Sequence, residues 1–304
     1  MDKQKVLAIV GPTGIGKTSL SVWLAKQLDG EIISCDSMQV YKKMDIGTAK
    51  VTQEEMQGIH HELIDVQNYD EPYNVKVFQE KCRTAIEDVV KRGKFPILCG
   101  GTGLYLKAAL YDYEFLEEQE DVTYTNFLNS KTNEELVEML KEQDEKALEK
   151  IHPNNRKRLI RALQICHSGT SKSEQEDKQQ HIPLYDVYFL GLDVDRDILH
   201  DRINKRVDIM FENGLVKEVE DLFINPETWE YTSFQGIGYK EFKDYFLKEK
   251  SIDEVKTAIK TPSRQYAKRQ YTWFKNQMPV HWFEAQKRNE IYSAVKEWLM
   301  DEDK

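Results

Sequence analysis

One eight-residue stretch restricts this chain more than any other. Gly11-Pro12-Thr13-Gly14-Ile15-Gly16-Lys17-Thr18 fits G-x-x-x-x-G-K-[ST]. It follows the apolar run Val6–Val10 directly and precedes apolar residues at helical spacing, Leu20, Trp23, Leu24 and Leu28. Glycines let consecutive backbone N–H groups turn inward around phosphate oxygens, and the helix N-terminus adds its partial positive charge. Lys17 brings a full charge, and a hydroxyl such as that of Thr18 can ligate Mg²⁺. The motif specifies a polyphosphate; by itself it does not specify a nucleotide.

The flanking sequence repeats the pattern. Glu31–Ser34, Pro96–Cys99 and Val187–Leu192 are further strand candidates, and Val75, Phe78, Cys82, Ile86 and Val89 mark an amphipathic helix closed by Gly93. Short apolar runs alternating with helical periods predict an α/β fold with a P-loop NTPase-like parallel sheet core. Residues 112–150 change character, being rich in acids, free of glycine and helical at Leu136, Met139, Leu140 and Leu148. They read as a helical insertion domain between a first core part (1–111) and the remainder of the core with a helical C-terminal part (151–304). The polar stretch 168–181 reads as a loop.

Composition narrows the function classes. No apolar run approaches the ~18–20 residues of a membrane span, and Met-Asp-Lys-Gln-Lys leads straight into a strand with no signal-peptide core. The scattered Cys35, Cys82, Cys99 and Cys166 form neither a disulfide framework nor a zinc pattern, so reduced cytoplasmic thiols are expected, and nothing in the sequence demands more than a monomer. The net charge of −10 argues against binding nucleic acid over the whole surface. The charge is uneven, however. Asp112, Glu114, Glu117, Glu118, Glu120 and Asp121 crowd one segment, whereas Val255–Phe283 carries Lys256, Lys260, Arg264, Lys268, Arg269 and Lys275 with no acid. Such a run reads first as a solvated helix face. Neighbouring His60 and His61 would point to opposite faces of a strand, which excludes a shared metal.

The machinery of nucleotide hydrolysis is not evident. Asn204-Lys205-Arg206-Val207-Asp208 places its acid one residue too late for N-K-x-D, and only Asp193 ends a strand as a weak magnesium-site candidate. A carboxylate does stand beside the cradle. Asp36 follows the second strand, and in a parallel sheet the carboxyl ends of neighbouring strands share the ligand-binding edge. It reads as a metal partner or general base, or alternatively as a cap for the next turn. Gly100-Gly101-Thr102-Gly103 ends the third strand on the same edge.

Together, GPTGIGKT (11–18), ISCDSMQVYKKMDIGTAK (33–50), HHELIDV (60–66), YNVKVFQ (73–79), PILCGGTGLYLKAAL (96–110), IHPNNRKRLIRAL (151–163), LHDRINKRVDIMFENGLVKEV (199–219), FQGIGYKEF (234–242) and SRQYAKRQYTWF (263–274) resemble the tRNA dimethylallyltransferase (tRNA isopentenyltransferase) family. The resemblance implies transfer of a dimethylallyl group from dimethylallyl diphosphate to N6 of the adenine at tRNA position 37, beside the anticodon. It implies that Gly11, Pro12, Thr13, Gly14, Ile15, Gly16, Lys17 and Thr18 hold the diphosphate, with Mg²⁺ at Thr18. Asp36 would be the general base, with Thr102 and Arg206 assisting the leaving group. Contacts with the anticodon stem-loop map onto Asp36, Ser37, Met38 and Gln39, onto Arg156, Lys157, Arg158, Leu159 and Ile160, and onto Gln235, Gly236, Ile237, Gly238, Tyr239 and Lys240. Arg161, Arg264, Lys268 and Arg269 add charge for the same partner, while Tyr266, Tyr271, Trp273 and Phe274 read mostly as core with some capacity to stack on bases. Cys35, beside the base, departs from the small aliphatic common there. Residues 112–150 also depart, lacking a proline-containing pattern expected for tRNA contacts from that region.

Three other readings share the cradle. A small-molecule P-loop kinase would bind ATP there, and a prenyltransferase acting on free adenine nucleotides would keep Asp36 and Arg206 but not the basic segments. A non-catalytic RNA-binding protein would have no use for an intact Lys17, Thr18, Asp36 and Arg206.

Overall fold

The computed structural model describes residues 3–115, 121–169, 171–174 and 180–301, which divide into two compact units. One comprises Met1–Tyr111 and Pro183–Lys304, the other Asp112–Ile182. The first begins β1 (Lys5–Val10), α1 (Lys17–Leu28), β2 (Gly30–Ser34), α2 (Gln53–Met56), β3 (His61–Glu62), α3 (Val75–Lys91), β4 (Phe95–Gly100) and α4 (Gly103–Leu110). The second unit holds α5 (Val122–Asn129), α6 (Asn133–Asp144) and α7 (Arg156–His167). The first then resumes with β5 (Asp186–Asp193), α8 (Arg196–Glu212), α9 (Leu215–Leu222), α10 (Lys243–Phe246), α11 (Ile252–Gln277), β6 (His281–Glu284) and α12 (Arg288–Met300).

The strands form one sheet in the order β3-β2-β4-β1-β5-β6, and every neighbouring pair is parallel. β1 shows why its sequence reads as an unbroken apolar run. Val6, Ala8 and Val10 enter the core on one face of the sheet, and Leu7 and Ile9 enter a separate core on the other. A strand covered on both faces needs apolar residues at every position. The four strands expected from sequence are all present. β3, with two residues, and the edge strand β6 were not anticipated.

Helix α3 follows its sequence pattern closely. Asn74 caps it by accepting a hydrogen bond from the Val77 N–H at 3.0 Å, Phe78, Cys82, Ala85, Ile86 and Val89 face the core, and Gly93 (φ 72°) turns the chain away. β3 contains His61 but not His60, whose Nε2 lies 3.1 Å from a Glu62 oxygen. Glu31, His60 and Glu62 come together, but Arg92 already bridges the two carboxylates at 2.6 and 2.8 Å, so a cation is supplied by the protein itself.

The insertion is longer than its acid-rich composition suggests. Sequence reading ended it at 150 and assigned α7 to the remaining core; the structure extends it to Ile182. Leu159, Ala162 and Leu163 of α7 share one buried cluster with Leu128, Leu136 and Leu140, so α7 completes the small core of this unit. Glu117, Glu118 and Glu120 of the acidic run, and residues 170 and 175–179 of the 168–181 loop, lie outside the described residues. Among the described residues no helix is long and apolar enough to cross a membrane.

Removing a buried Leu side chain costs about 2–5 kcal/mol. Leu163→Ala should therefore loosen the insertion alone, raising amide exchange in α5, α6 and α7 while β1, β4 and β5 keep their protection. Equal loss of protection in the sheet would contradict this division of the chain.

Candidate active site

The parallel register fixes what meets at the carboxyl edge of the sheet. Ile9 pairs with Cys99, Val10 with Gly100, and Ser34 with Cys99. The loop after β1, Asp36 after β2 and Gly101-Thr102 after β4 thus leave the sheet at one level. Thr13, Gly14, Gly16 and Lys17 of the glycine loop, Asp36, and Cys99 and Gly100 of β4 line a cleft of about 930 Å³, together with Arg206, with Ser263, Tyr266, Arg269 and Gln270 of α11, and with Gln235–Gly238 and Lys240; Thr102 is not among its lining residues.

The glycine loop has the conformation its sequence requires. Gly11, Gly14 and Gly16 adopt φ of 140°, 78° and 105°, a region that residues with a Cβ enter only with strain. Ile15 is buried beneath the loop as its apolar anchor. The Lys17 ammonium donates to the carbonyls of Gly11 (2.9 Å) and Pro12 (2.8 Å). Burial lowers its pKa to about 8; the nearby Cys99 thiol and Asp36 oppose that shift, and Arg206 adds to it. Thr13 is held by both of its polar groups. Its N–H donates to Gln270 Oε1 at 3.0 Å, and its hydroxyl accepts from Arg206 Nη1 at 3.0 Å.

Arg206 projects from α8 and also donates to the Ala49 carbonyl at 3.2 Å, tying the segment after Asp36 to the glycine loop. Burial pulls its pKa down, against the attraction of Asp36 and Glu55. Asp36 combines the two sequence readings. Its Oδ1 accepts the N–H of Met38 at 2.8 Å and of Gln39 at 3.3 Å, capping the turn, while among the described residues no donor reaches Oδ2. Thr102 stands at the start of α4 without using its hydroxyl as a cap. It lies near the hydroxyl of the half-buried Tyr266, whose pKa rises to about 12 through burial and then through Asp36, with Thr102, Arg269 and Gln270 opposing. Thr18 lines the cleft beside Lys17.

The remaining sites from sequence divide. Met38 packs against Gly236, where a Cβ would overlap its methyl group, so the Asp36–Gln39 turn and the Gln235–Lys240 loop share one wall of the cleft. Gln235 spends its amide on the Trp229 carbonyl at 2.6 Å. Tyr239 is not available to RNA: its ring is buried against Gly47 and its hydroxyl donates to Glu218 at 2.7 Å. Leu159 is likewise fully buried, in the insertion core, and Ile160 packs against that core. The Arg156 guanidinium donates to the carbonyls of Leu128 and Asn129 and to Asn133 Oδ1, closing the end of α5. Lys157, Arg158 and Arg161 are exposed on the insertion unit.

The basic run on α11 is less free than its composition implies. Lys256 and Lys260 both pair with Asp208, Arg264 donates to Asn204 and Thr261, and Lys275 lies 4.6 Å from the centre of the Tyr271 ring. Lys268 and Arg269 remain exposed. Phe274 is core, Trp273 packs on Gly103, and Tyr271 stacks on Trp282 and donates to Asp193. Asp193 is therefore engaged as a hydrogen-bond acceptor for the helix. Sequence reasoning placed Tyr266 and Gln270 in a quoted motif offered to RNA but gave neither a part at the cradle, and it gave Glu218 no role. Glu218 accepts the N–H groups of Asp45, Ile46 and Gly47 at 2.7–3.0 Å; both partners lie in quoted motifs, 199–219 and 33–50, but nothing in either signals the contact.

A family model described as IPP transferase matches residues 39–277. A tRNA dimethylallyltransferase of Bacillus anthracis is 50% identical, over 97% of this chain and 96% of that protein. A tRNA isopentenylpyrophosphate transferase of Bacillus halodurans has a solved structure that matches with a TM-score of 0.74 and 42% identity, over 98% of this chain and 97% of that one. A eukaryotic dimethylallyltransferase acting on tRNA matches with a TM-score of 0.84 and 31% identity, over 97% of this chain and 79% of that one.

The Lys17 environment yields a pH test. Its protonated form attracts an anion, so affinity for inorganic pyrophosphate should fall as pH rises through about 8, where Lys17 loses its proton, and binding near that pH should take up protons. Calorimetry from about pH 7 to about pH 10, with Lys17→Arg as the permanently charged reference, separates this from titration of the ligand. Identical profiles for the two proteins would contradict the assignment.

Proposed function

The chain belongs to the IPP transferase family, and on that footing we propose that it transfers a dimethylallyl group from dimethylallyl diphosphate to N6 of the adenine at tRNA position 37. The observation that carries this reading is a single cleft in which the glycine loop, Asp36, Arg206 and the Gln235–Lys240 loop all take part. The cradle holds the diphosphate of an isoprenoid, which explains why no hydrolytic residue is needed. The relatives are tRNA-modifying transferases, which does not favour the kinase reading.

The chemistry follows from the groups present. The exocyclic amine is a weak nucleophile, because its lone pair is delocalised into the ring. As its nitrogen bonds to the allylic carbon, the carbon–oxygen bond to diphosphate breaks and the N–H acidifies. Asp36 takes that proton through Oδ2, the oxygen not spent on the turn. Negative charge grows on the leaving diphosphate, where Lys17 and Arg206 stabilise it. Thr102 lies beside Tyr266 at the end of β4 and steadies the same region. Mg²⁺ suits the donor set: a single protein hydroxyl, that of Thr18, beside a diphosphate matches a hard cation that binds mainly through phosphate and water. When bound, it neutralises part of the charge on the leaving group.

The target base must leave its stack to enter such a cleft. Ser37, Met38, Gln39 and the Gln235–Lys240 loop would meet it, and Lys157, Arg158, Arg161, Lys268 and Arg269 would meet the RNA backbone. Incubation with labelled dimethylallyl diphosphate and either tRNA or AMP, alongside labelled ATP, tests the reading. Label should enter tRNA alone. Label in AMP would favour the free-nucleotide enzyme, and phosphoryl transfer from ATP the kinase.

Two variants probe roles. Asp36→Asn keeps a capping oxygen but loses the base, so prenyl transfer should fall by about 10²–10⁴-fold while pyrophosphate binding persists; retained activity would remove the assignment. Arg158→Ala should weaken tRNA binding and make the slope of log K against log salt shallower by about one. An unchanged slope would place Arg158 away from phosphate.

A further inference from the structure

The glycine loop has an anchor that its own motif does not encode. Gln270 lies on α11, almost completely buried and far along the chain from the loop it touches. Its amide is used at both ends: Oε1 accepts the Thr13 N–H at 3.0 Å, and Nε2 donates to the Gly101 carbonyl at 2.9 Å. Gly101 has no room for a Cβ because this amide occupies the space. Tyr266, one helical turn earlier, interacts with the Gln270 side chain and with Thr102.

These contacts make a bridge. The end of β4, the apex of the glycine loop and α11 meet at one planar amide whose donor and acceptor are both committed. The opposite side of Thr13 is held by Arg206. Gln270 lines the cleft, yet the Thr13 N–H it occupies is one of the loop amides that would otherwise turn toward an anion.

Resting on the reading of the loop as a diphosphate cradle, we propose that Gln270 is a positioning residue for the diphosphate. It fixes the loop apex by taking the Thr13 N–H for itself and leaves the amides from Gly14 to Thr18 to the ligand. Its loss changes the binding of the diphosphate more than the stability of the fold, because the apex then has no partner to hold it against the end of β4.

Inorganic pyrophosphate binding by calorimetry tests the idea on the full chain. Gln270→Met keeps side-chain length without hydrogen bonds, and should weaken binding by about tenfold, the scale of one or two lost buried hydrogen bonds. Gln270→Glu keeps the acceptor for Thr13 but sets a carboxylate oxygen against the Gly101 carbonyl and a negative charge in the cradle, so it should weaken binding further. In steady-state transfer, the Met variant should raise KM for dimethylallyl diphosphate while leaving KM for tRNA unchanged.

If either variant fails to fold, the unaltered protein still decides. On adding pyrophosphate, amide exchange should slow at Gly14, Gly16, Lys17 and Thr18 and remain unchanged at Thr13. Unchanged affinity in both folded variants, or new protection of the Thr13 amide, would overturn the role of Gln270. Absence of any pyrophosphate binding to the unaltered protein would instead overturn the diphosphate reading of the loop.

Discussion

The site depends on how β2 and β4 end. Ser34 and Cys99 are partners in the register, and the pairing runs one residue past β2, with the Cys35 N–H donating to the Cys99 carbonyl at 2.8 Å. This brings the backbone of Cys35 so close to Gly100 that a Cβ on Gly100 would overlap it. The close approach sets Asp36 at the height of the glycine loop and leaves no freedom for either chain to slide. Cys35 itself is fully buried, so an unusual residue beside the proposed base is accommodated as packing.

From that fixed edge the rest of the cleft is assembled by side chains reaching in from later in the chain. Arg206 and Gln270 hold Thr13, and Arg206 also holds Ala49. Glu218 collects three successive N–H groups at Asp45–Gly47 together with the Tyr239 hydroxyl, fastening the second cleft loop to the same segment. A carboxylate bound by clustered backbone N–H groups needs no cationic partner, since the aligned amides supply the positive field. The helical C-terminal part thus stabilises the shape of an N-terminal loop whose own glycines provide no rigidity.

These dependencies mark where sequence reading succeeded and where it failed. β1 was readable because both of its faces are buried, and Asp36 because a strand-end rule places it. The two-residue β3 offers no pattern. The short β6, His281–Glu284, lies on the sheet edge with its end residues exposed, so its apolar signal is weak. The residues of α7 were assigned to the remaining core, whereas they complete the core of the insertion. A stripe such as Leu159, Ala162 and Leu163 shows that a face is buried, not which partner buries it. Tyr239 and Leu159 were drawn into the RNA surface because a contiguous motif was treated as one surface, although residues a step apart on a turn or helix face opposite ways. Gln270 lay inside the quoted 263–274 motif, but one amide in a basic helix gives no sign of the loop that it holds.

The electrostatics of the cleft give these anchors a purpose. Lys17 and Arg206 are both desolvated, and burial works against the charge on each, while Asp36 is the one acid that supports them both. Lys17 donates to the carbonyls of Gly11 and Pro12, whose partial negative charge offsets part of its desolvation. Glu55 adds to the attraction on Arg206, and on the proposed reading a diphosphate would bring further negative charge to both cations. The attraction would be wasted on a loop that moved to meet its ligand, because interactions made in a preformed, water-poor site need no reorganisation as charge develops. On the proposed reading, holding Thr13 from two sides serves the same end as burying Lys17: both would set the field before a diphosphate arrives, so that it strengthens as the carbon–oxygen bond lengthens.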